Sequence, residues 1–383
     1  MKMIALGECC EIVSGATPSS SVPEFWGGDI DWATPADLSQ LSGAYIDSTP
    51  RKLTAAGLAS CSAKLLPVGS VLLSSRAPIG HVAINTIPMA TNQGFKSLMP
   101  DSDVLDPKYL YHWLRGSKAY LQSLGNGATF KELSKSTVAR VKIPVPTLDE
   151  QRRIATILDR AGALSMNRAA VVGRLEDLAQ SVFRDMFGGG PQRLLPLADL
   201  CVRITDGTHQ SPEWAKEGHP FLFVSNITSG EINFTTSKFI SGDTHAELTA
   251  RCPIEVGDVL YSTVGSYGVP VVVRSERKFA FQRHIAHLKP RRELIHPEFL
   301  AAQLAAPEVK RQADVAARGA AQKTVNLKDI KAFSVFAPPM AQQLDFVRRL
   351  GAIRAARLGA LRSHEALSQL EDCLQAAAVS GRL

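Results

Sequence analysis

A chain of 383 residues with 45% hydrophobic and 21% charged content has room for two ordinary domains, each with its own core, which excludes a disordered polymer. Six cysteines (Cys9, Cys10, Cys61, Cys201, Cys252, Cys373) form no CxxC pair and have no histidine partners at zinc spacing, so reduced thiols and no structural metal are expected. Gly7-Glu8 stops the first residues before a signal-peptide core can form, and no apolar run reaches membrane-spanning length, so the expected location is the cytoplasm, without a membrane partner. The net charge of +7 lies mainly in two segments: residues 1–148 carry 13 Lys and Arg against 11 acids, and 188–339 carry 18 against 15. Residues 149–187 (6 against 6) and 340–378 (5 against 4) are close to neutral. Such a distribution suits a grip on a DNA backbone but does not by itself require one.

In chain order, Val71-Leu72-Leu73 and Val82-Ala83-Ile84 flank Arg76-Ala77-Pro78-Ile79-Gly80 and predict a hairpin. Asp106-Pro107 supplies an N-cap and a first-turn proline ahead of Leu110, Trp113, Leu114, Leu121 and Leu124 on one helical face. After Pro144-Val145-Pro146, residues Ile154, Ile157, Ala161, Leu164, Val171, Leu175, Leu178 and Val182 follow a 3-then-4 spacing broken at Arg168, the pattern of a helical seam. Gly188-Gly189-Gly190-Pro191 ends it and lacks the glycine spacing and Lys-Ser/Thr pair of a phosphate loop.

The same order then returns. Val259-Leu260-Tyr261 and Val271-Val272-Val273 flank Gly265-Ser266-Tyr267-Gly268, and a helix starts at His296-Pro297. After Pro338-Pro339 a second seam runs through Phe346, Leu350, Ile353, Ala356, Leu367, Leu370 and Leu374. Val68-Gly69-Ser70-Val71-Leu72 is matched by Val256-Gly257-Asp258-Val259-Leu260, while Gly127 and Pro146 map onto Gly319 and Pro338 at one offset of 192. The expected fold class is α+β, with two similar domains, 1–148 and 188–339, and two long helices, 149–187 and 340–383, paired as an antiparallel coiled coil. At 1.5 Å per residue each helix would be on the order of 55 Å long, a rigid spacer between two sites.

Catalytic patterns are sparse. An amino-methyltransferase needs an Asn/Asp-Pro-Pro-aromatic loop for a flipped base, and the nearest stretch, Ala337-Pro338-Pro339-Met340, lacks both the amide and the ring. Pro100-Asp101 followed by Asp106-Pro107-Lys108 imitates a nuclease pattern, but His296 stands where the second copy would need the carboxylate. His209, His219, His284 and His287 lack the spacing of a metal site.

The residues also carry a resemblance. Ser14-Gly15-Ala16-Thr17-Pro18, Phe25-Trp26-Gly27-Gly28-Asp29-Ile30, Trp32-Ala33-Thr34-Pro35, Ser74-Ser75-Arg76-Ala77-Pro78-Ile79-Gly80, Thr91-Asn92-Gln93-Gly94-Phe95-Lys96 and Leu148-Asp149-Glu150-Gln151-Arg152-Arg153-Ile154 resemble a target recognition domain from the specificity (S) subunit of type I restriction–modification enzymes. The second half resembles another branch of that domain through Asp206-Gly207-Thr208-His209, Phe223-Val224-Ser225-Asn226, Gly265-Ser266-Tyr267-Gly268, Phe281-Gln282-Arg283 and Gly319-Ala320-Ala321-Gln322-Lys323. It departs at Gln342-Gln343-Leu344-Asp345, where a copy of Glu150-Gln151-Arg152-Arg153 is expected, which loosens the match at that helix start.

The resemblance implies a non-catalytic, sequence-specific DNA-binding subunit. It would read a bipartite double-stranded target with two target recognition domains and direct two methyltransferase (M) subunits and restriction (R) subunits to it. The chain would need no cofactor, because S-adenosylmethionine, ATP and Mg would be used by the partners. Candidate DNA contacts are Thr17, Trp26, Arg76, Asn92, Gln93, Lys96 and Lys131 in the first half, and Thr208, His209, Asn226, Tyr267, Gln282, Arg283, His284 and Lys323 in the second. Lys131 and Lys323 stand at equivalent places and suit phosphates. Trp26, beside Gly27-Gly28, equally suits an anchor for its own loop. Two other readings stay open: a duplicated coiled-coil scaffold that binds only proteins, and a standalone DNA-modifying enzyme.

Overall fold

The computed structural model describes residues 2–76, 78–126, 131–189, 192–319 and 322–383. Met1, Ala77 of the first hairpin loop, Gly127 of the repeat, Gly190-Pro191 of the glycine break and Ala320-Ala321 lie outside these residues. The chain forms two compact units, Met1–Ala170 with Ala360–Leu383, and Val171–Gly359. Each contains a stretch of both long helices, Leu148–Phe187 and Met340–Val379.

The first unit is built on a five-stranded sheet in the order Cys10–Ser14, Lys96–Pro100, Val71–Leu73, Val82–Asn85 and Tyr45–Ile46, antiparallel except at the last pair. Lys52–Leu53, Trp26–Ala33 and Met89–Thr91 make a smaller sheet. Lys2–Ala5 pairs with Lys142–Val145 and clasps together the two ends of this part of the chain. The hairpin expected around residues 76–80 is present, with Val71 opposite Ile84 and Leu73 opposite Val82. Asp106 caps the next helix, Pro107–Gly116, by accepting the N–H groups of Lys108 and Tyr109 at 2.9 and 3.0 Å. The face expected to run on to Leu124 is divided, because the chain turns at Ser117 into a second helix, Lys118–Ser123. Leu110, Trp113, Leu114 and Leu121 nevertheless share one core with Ile154, Leu158 and Ala378 of the long helices.

The second unit repeats this plan. Cys201–Asp206, Ile285–Pro290, Val259–Ser262 and Pro270–Val272 form an antiparallel four-stranded sheet, matching the first sheet without its edge strand. Phe239–Ile240, His219–Leu222 and Ala280–Phe281 form the small sheet, and Leu195–Pro196 with Ser334–Val335 the clasp. His296 replaces Asp106 as the cap, its ring Nδ1 accepting from Glu298 N–H at 3.2 Å. Here Pro307 forces the break between Pro297–Ala305 and Pro307–Ala316. The core gathers Phe183, Phe187, Phe299, Phe336 and Phe346.

The departure at Gln342-Gln343-Leu344-Asp345 does not loosen the repeat, because the residue that matters is kept. Gln151 is fully buried and accepts from Asp106 N–H (2.8 Å) while donating to the carbonyls of Val104 (2.9 Å) and Pro146 (3.0 Å). Gln343, equally buried, accepts from His296 N–H (2.8 Å) and donates to Leu294 (2.9 Å) and Pro338 (2.7 Å). One glutamine thus ties a helix cap to the start of a long helix in both units. Glu150 and Arg153, by contrast, pair with each other at the surface.

The expected seams need correction. Within the first unit the buried line of the long helix is Gln151, Ile154, Leu158, Ala161 and Ser165, whereas Leu164 is 55% exposed. Within the second unit Leu175, Ala179, Val182 and Met186 face inward, and Val171 and Leu178 are exposed. On the C-terminal helix the same slip of one residue puts Arg357 in place of Ala356 and Glu371 in place of Leu370. Hydrophobicity selects the more apolar neighbour at alternate seam positions, yet closely packed helices favour small side chains and aliphatic stems that carry a charge to the edge. Arg357 pairs with Glu176 at 2.6 Å in the second unit, and Glu371 pairs with Arg115 at 3.4 Å in the first. The helix segments are antiparallel within each unit: in the first Ile154 clusters with Ala378 and Gly162 faces Glu371, and in the second Phe187 meets Phe346 and Glu176 meets Arg357.

Candidate nucleic-acid interface

In the first unit three loops are stitched together by backbone bonds through one serine pair. The Ser74 hydroxyl donates to Pro78 C=O (2.7 Å) and accepts from His81 N–H (2.8 Å), closing the hairpin loop. Ser75 N–H then donates to Gly94 C=O (2.7 Å), and Ser75 C=O accepts from Leu133 N–H (2.9 Å). Gly15 brings in a fourth segment; a Cβ there would collide with the carbonyl oxygens of Thr91 and Asn92.

The second unit repeats each bond. Ser262 donates to Ser266 C=O (2.7 Å) and accepts from Val269 N–H (2.9 Å). Thr263 N–H donates to His284 C=O (3.0 Å), and Thr263 C=O accepts from Val325 N–H (2.9 Å). Gly207 takes the place of Gly15, against Phe281 C=O, and Thr208 N–H donates to that carbonyl at 3.1 Å. The loops therefore align as Asn92-Gln93-Gly94 with Gln282-Arg283-His284, and Arg76 with Val264.

This framework brings most of the expected side chains to one loop cluster per unit but gives them unequal freedom. Gln93 and Lys131 are exposed, and Thr17, also exposed, donates its hydroxyl proton to the Gln93 side-chain oxygen. Asn92 spends its side-chain oxygen on Gly94 N–H (2.8 Å). Lys96 is only 8% exposed and turns inward to Glu132 at 3.3 Å, with Arg76 on the other carboxylate oxygen at 3.6 Å. Trp26 anchors its own loop: it stacks edge-on against Trp32 at 5.1 Å, donates to Ser19 C=O at 3.1 Å, and carries Arg51 over its ring at 4.0 Å.

In the second unit Arg283 and Lys323 are exposed, while Gln282 and His284 are half-buried. Arg283, His284 and His209 line one cavity of about 360 Å³ with Asp206 and Asn326. Burial, then the Arg283 charge, hold the His284 pKa below its usual value, so its ring is neutral at pH 7 and can donate or accept. His209 lies 3.0 Å from Asp206. Tyr267 donates its hydroxyl to Asp314 at 2.9 Å, and that bond raises its pKa. Asn226 is buried away from the cluster, accepting from Phe223 N–H and donating to Asn233 and Thr235 carbonyls at 2.8–3.0 Å.

Several contributing residues were not legible as site residues. Glu132 holds Lys96 and Arg76, and Asp314 holds Tyr267 and Lys310. Lys118 and Lys310, another pair at offset 192, lie over the left-handed glycines Gly80 (φ +98°) and Gly268 (φ +90°). The signal that could have found this pair was the offset itself. Among the described residues no three His, Cys, Asp or Glu side chains could hold a metal ion, and no helix is long and apolar enough to cross a membrane.

Residues 1–170 match the family described as "Type I restriction modification DNA specificity domain". The specificity subunit of the type I restriction enzyme MjaIX from Methanocaldococcus jannaschii is 40% identical over 179 residues, covering 46% of this chain and 41% of that protein. The EcoR124I/EcoR124II specificity subunit from Escherichia coli is 30% identical over 197 residues (49% and 48%), and the EcoBI specificity subunit from E. coli 25% over 294 residues (69% and 62%). The chain thus spans less than two thirds of each of these relatives. Two solved structures share the fold along nearly all of it. A chain from work on complex assembly and conformational transition of the type I R-M system has a TM-score of 0.65 at 20% identity, covering 100% of this chain and 98% of its own. The S subunit of the type I system from M. genitalium has a TM-score of 0.57 at 13% identity, covering 98% and 95%.

Proposed function

We propose that this chain is a member of the specificity-subunit family of type I restriction–modification enzymes, whose DNA specificity domain its residues 1–170 match, and that it reads one half of a bipartite double-stranded DNA target with each unit and addresses partner subunits to it. One observation carries the reading: the same stitched loop cluster is built twice, around Ser74-Ser75 and around Ser262-Thr263, with different side chains on it. Exposed Lys131 and Lys323 grip phosphates, while Arg76, Gln93, Gln282, Arg283 and His284 address base edges. Residues 1–148 and 188–339 act as the recognition modules, with 149–187 and 340–383 as spacer helices.

In this proposal the chain is non-catalytic, binds no cofactor and works in the cytoplasm. Two methyltransferase subunits use S-adenosylmethionine, and restriction subunits use ATP and Mg. The test is affinity against salt for Lys131→Ala and Arg283→Ala, each assembled with its methyltransferase subunits, on cognate and scrambled duplexes. Lys131→Ala is expected to weaken binding to both duplexes alike and lower the salt slope by about one; Arg283→Ala is expected to cost about 1–3 kcal/mol, mainly on cognate DNA. The opposite pattern would overturn the two roles. An assembled complex that binds no duplex would favour the protein-only scaffold, and base modification by the chain alone the standalone enzyme.

A further inference from the structure

A second chemical cluster lies in the second unit, outside the loop contacts used above. Cys252 Sγ is 3.4 Å from His287 Nδ1, and His287 Nε2 is 2.7 Å from Asp258 Oδ2. The order thiol, imidazole, carboxylate is that of an activated nucleophile, in which the carboxylate holds the Nε2–H tautomer and leaves Nδ1 free to take the thiol proton. Three elements assemble it. Cys252 follows the helix Gly242–Thr249, His287 lies on the strand Ile285–Pro290, and Asp258 sits in the turn before Val259–Ser262, where Glu255 N–H fixes its Oδ2 at 2.9 Å.

His287 and Asp258 are each 1% exposed, yet Cys252 is half-buried. Cys252 and His287 line a cavity of about 440 Å³ with Arg203, Arg251 and Thr249. The charged groups nearest the pair are Asp258, Lys289 (3.0 Å from Asp258 and 3.1 Å from Glu255), Glu255 and Arg203, and Asp206, Glu247 and Arg251 line the same cavity. Burial opposes the thiolate, but the bond to His287 and the charges of His287, Lys289 and Arg203 outweigh it and lower the Cys252 pKa. Burial likewise opposes the imidazolium, and the bonds to Asp258 and Cys252 raise the His287 pKa above its ordinary value.

We propose that Cys252 is a nucleophilic thiol and the site at which small electrophiles, hydroperoxides in particular, modify this chain. The thiolate attacks one peroxide oxygen, so an S–O bond forms as the O–O bond breaks. Sulfur is oxidised by two electrons to the sulfenic acid, and the departing hydroxide takes the proton from the His287 imidazolium and leaves as water. The inference does not depend on the DNA reading.

The test is competitive alkylation of the full folded chain with limiting iodoacetamide, followed by peptide mass spectrometry, with Cys373 as the internal reference because it is exposed. At pH 7 Cys252 is expected to react roughly 10-fold faster than Cys373, with the gap closing as pH rises through the ordinary thiol range. Hydrogen peroxide with dimedone trapping should label Cys252 first. Asp258→Asn should move the Cys252 pH–rate midpoint upward while leaving the Cys373 rate unchanged. Should that variant fail to fold, the wild-type pH profiles alone decide: a Cys252 rate that follows the Cys373 curve, or lies below it at pH 7, overturns the proposal.

Discussion

Replacing Gln343 by leucine removes three hydrogen bonds while leaving the volume nearly unchanged. The variant orphans one half-buried donor, His296 N–H, and two acceptors, the half-buried Leu294 carbonyl and the buried Pro338 carbonyl. With about 1 kcal/mol for each bond, and up to about 3 for a buried group left unpaired, the loss after the apolar gain is about 2–4 kcal/mol. Gln151→Leu should cost the same in the first unit, where Asp106 N–H and the Val104 and Pro146 carbonyls are orphaned. Urea denaturation gives the magnitude and amide exchange at His296 or Asp106 its location; Gln342→Ala, at an exposed neighbour, is the control. Gln343→Glu adds a sign. It keeps the acceptor but turns an ionised oxygen toward two carbonyls, so its folded-state pKa is raised; its stability is regained below the unfolded value of about 4.3 and lost as pH rises through the folded one. A shift for Gln343→Leu no larger than the control's, below about 0.5 kcal/mol, would refute the assignment of this residue as the cap-to-helix tie.

Asn226→Ala is expected to destabilise the second unit by about 2–3 kcal/mol, because all its side-chain bonds are internal, and to leave the ratio of cognate to scrambled binding unchanged in competition assays. Glu298 lies between Arg274 (2.7 and 2.9 Å) and Arg354; burial opposes its charge, but the guanidinium groups prevail and lower its pKa. Its contribution is therefore present above the unfolded value of about 4.3 and lost as pH falls through the folded one, so Glu298→Gln should flatten the urea midpoint against pH below about pH 5. Gly15→Ala and Gly207→Ala push a Cβ into the carbonyls of Asn92 and Phe281 and should each weaken DNA binding through their own unit, read as loss on one half-site with the other unaffected.

The hairpins and helix starts were legible because their signals are local: strand, glycine loop and strand lie within 15 residues, and Asp106 or His296 is followed at once by proline. The seam register was not, because hydrophobicity selects Leu164, Leu178 and Leu370 while packing selects Ser165, Ala179 and Glu371 beside them. The loops revealed which residues carry donors, but not what they would meet. Lys96 finds Glu132 36 residues away, and Tyr267 finds Asp314 47 residues away, separations that no local pattern reports.

The repeat itself sorts structure from specificity. What both copies keep is what builds the cluster: the serine closing each hairpin, the glutamine tying each cap, and a lysine over each left-handed glycine. What changes is carried on backbone whose bonds stay the same, since Gly94 and His284 offer the same carbonyl to Ser75 and Thr263. Gln93 therefore becomes Arg283, and Arg76 becomes Val264, without disturbing the support beneath them. An amide suits adenine and a guanidinium suits guanine, so two clusters of one geometry would read two different half-sites, the arrangement that an asymmetric bipartite target requires.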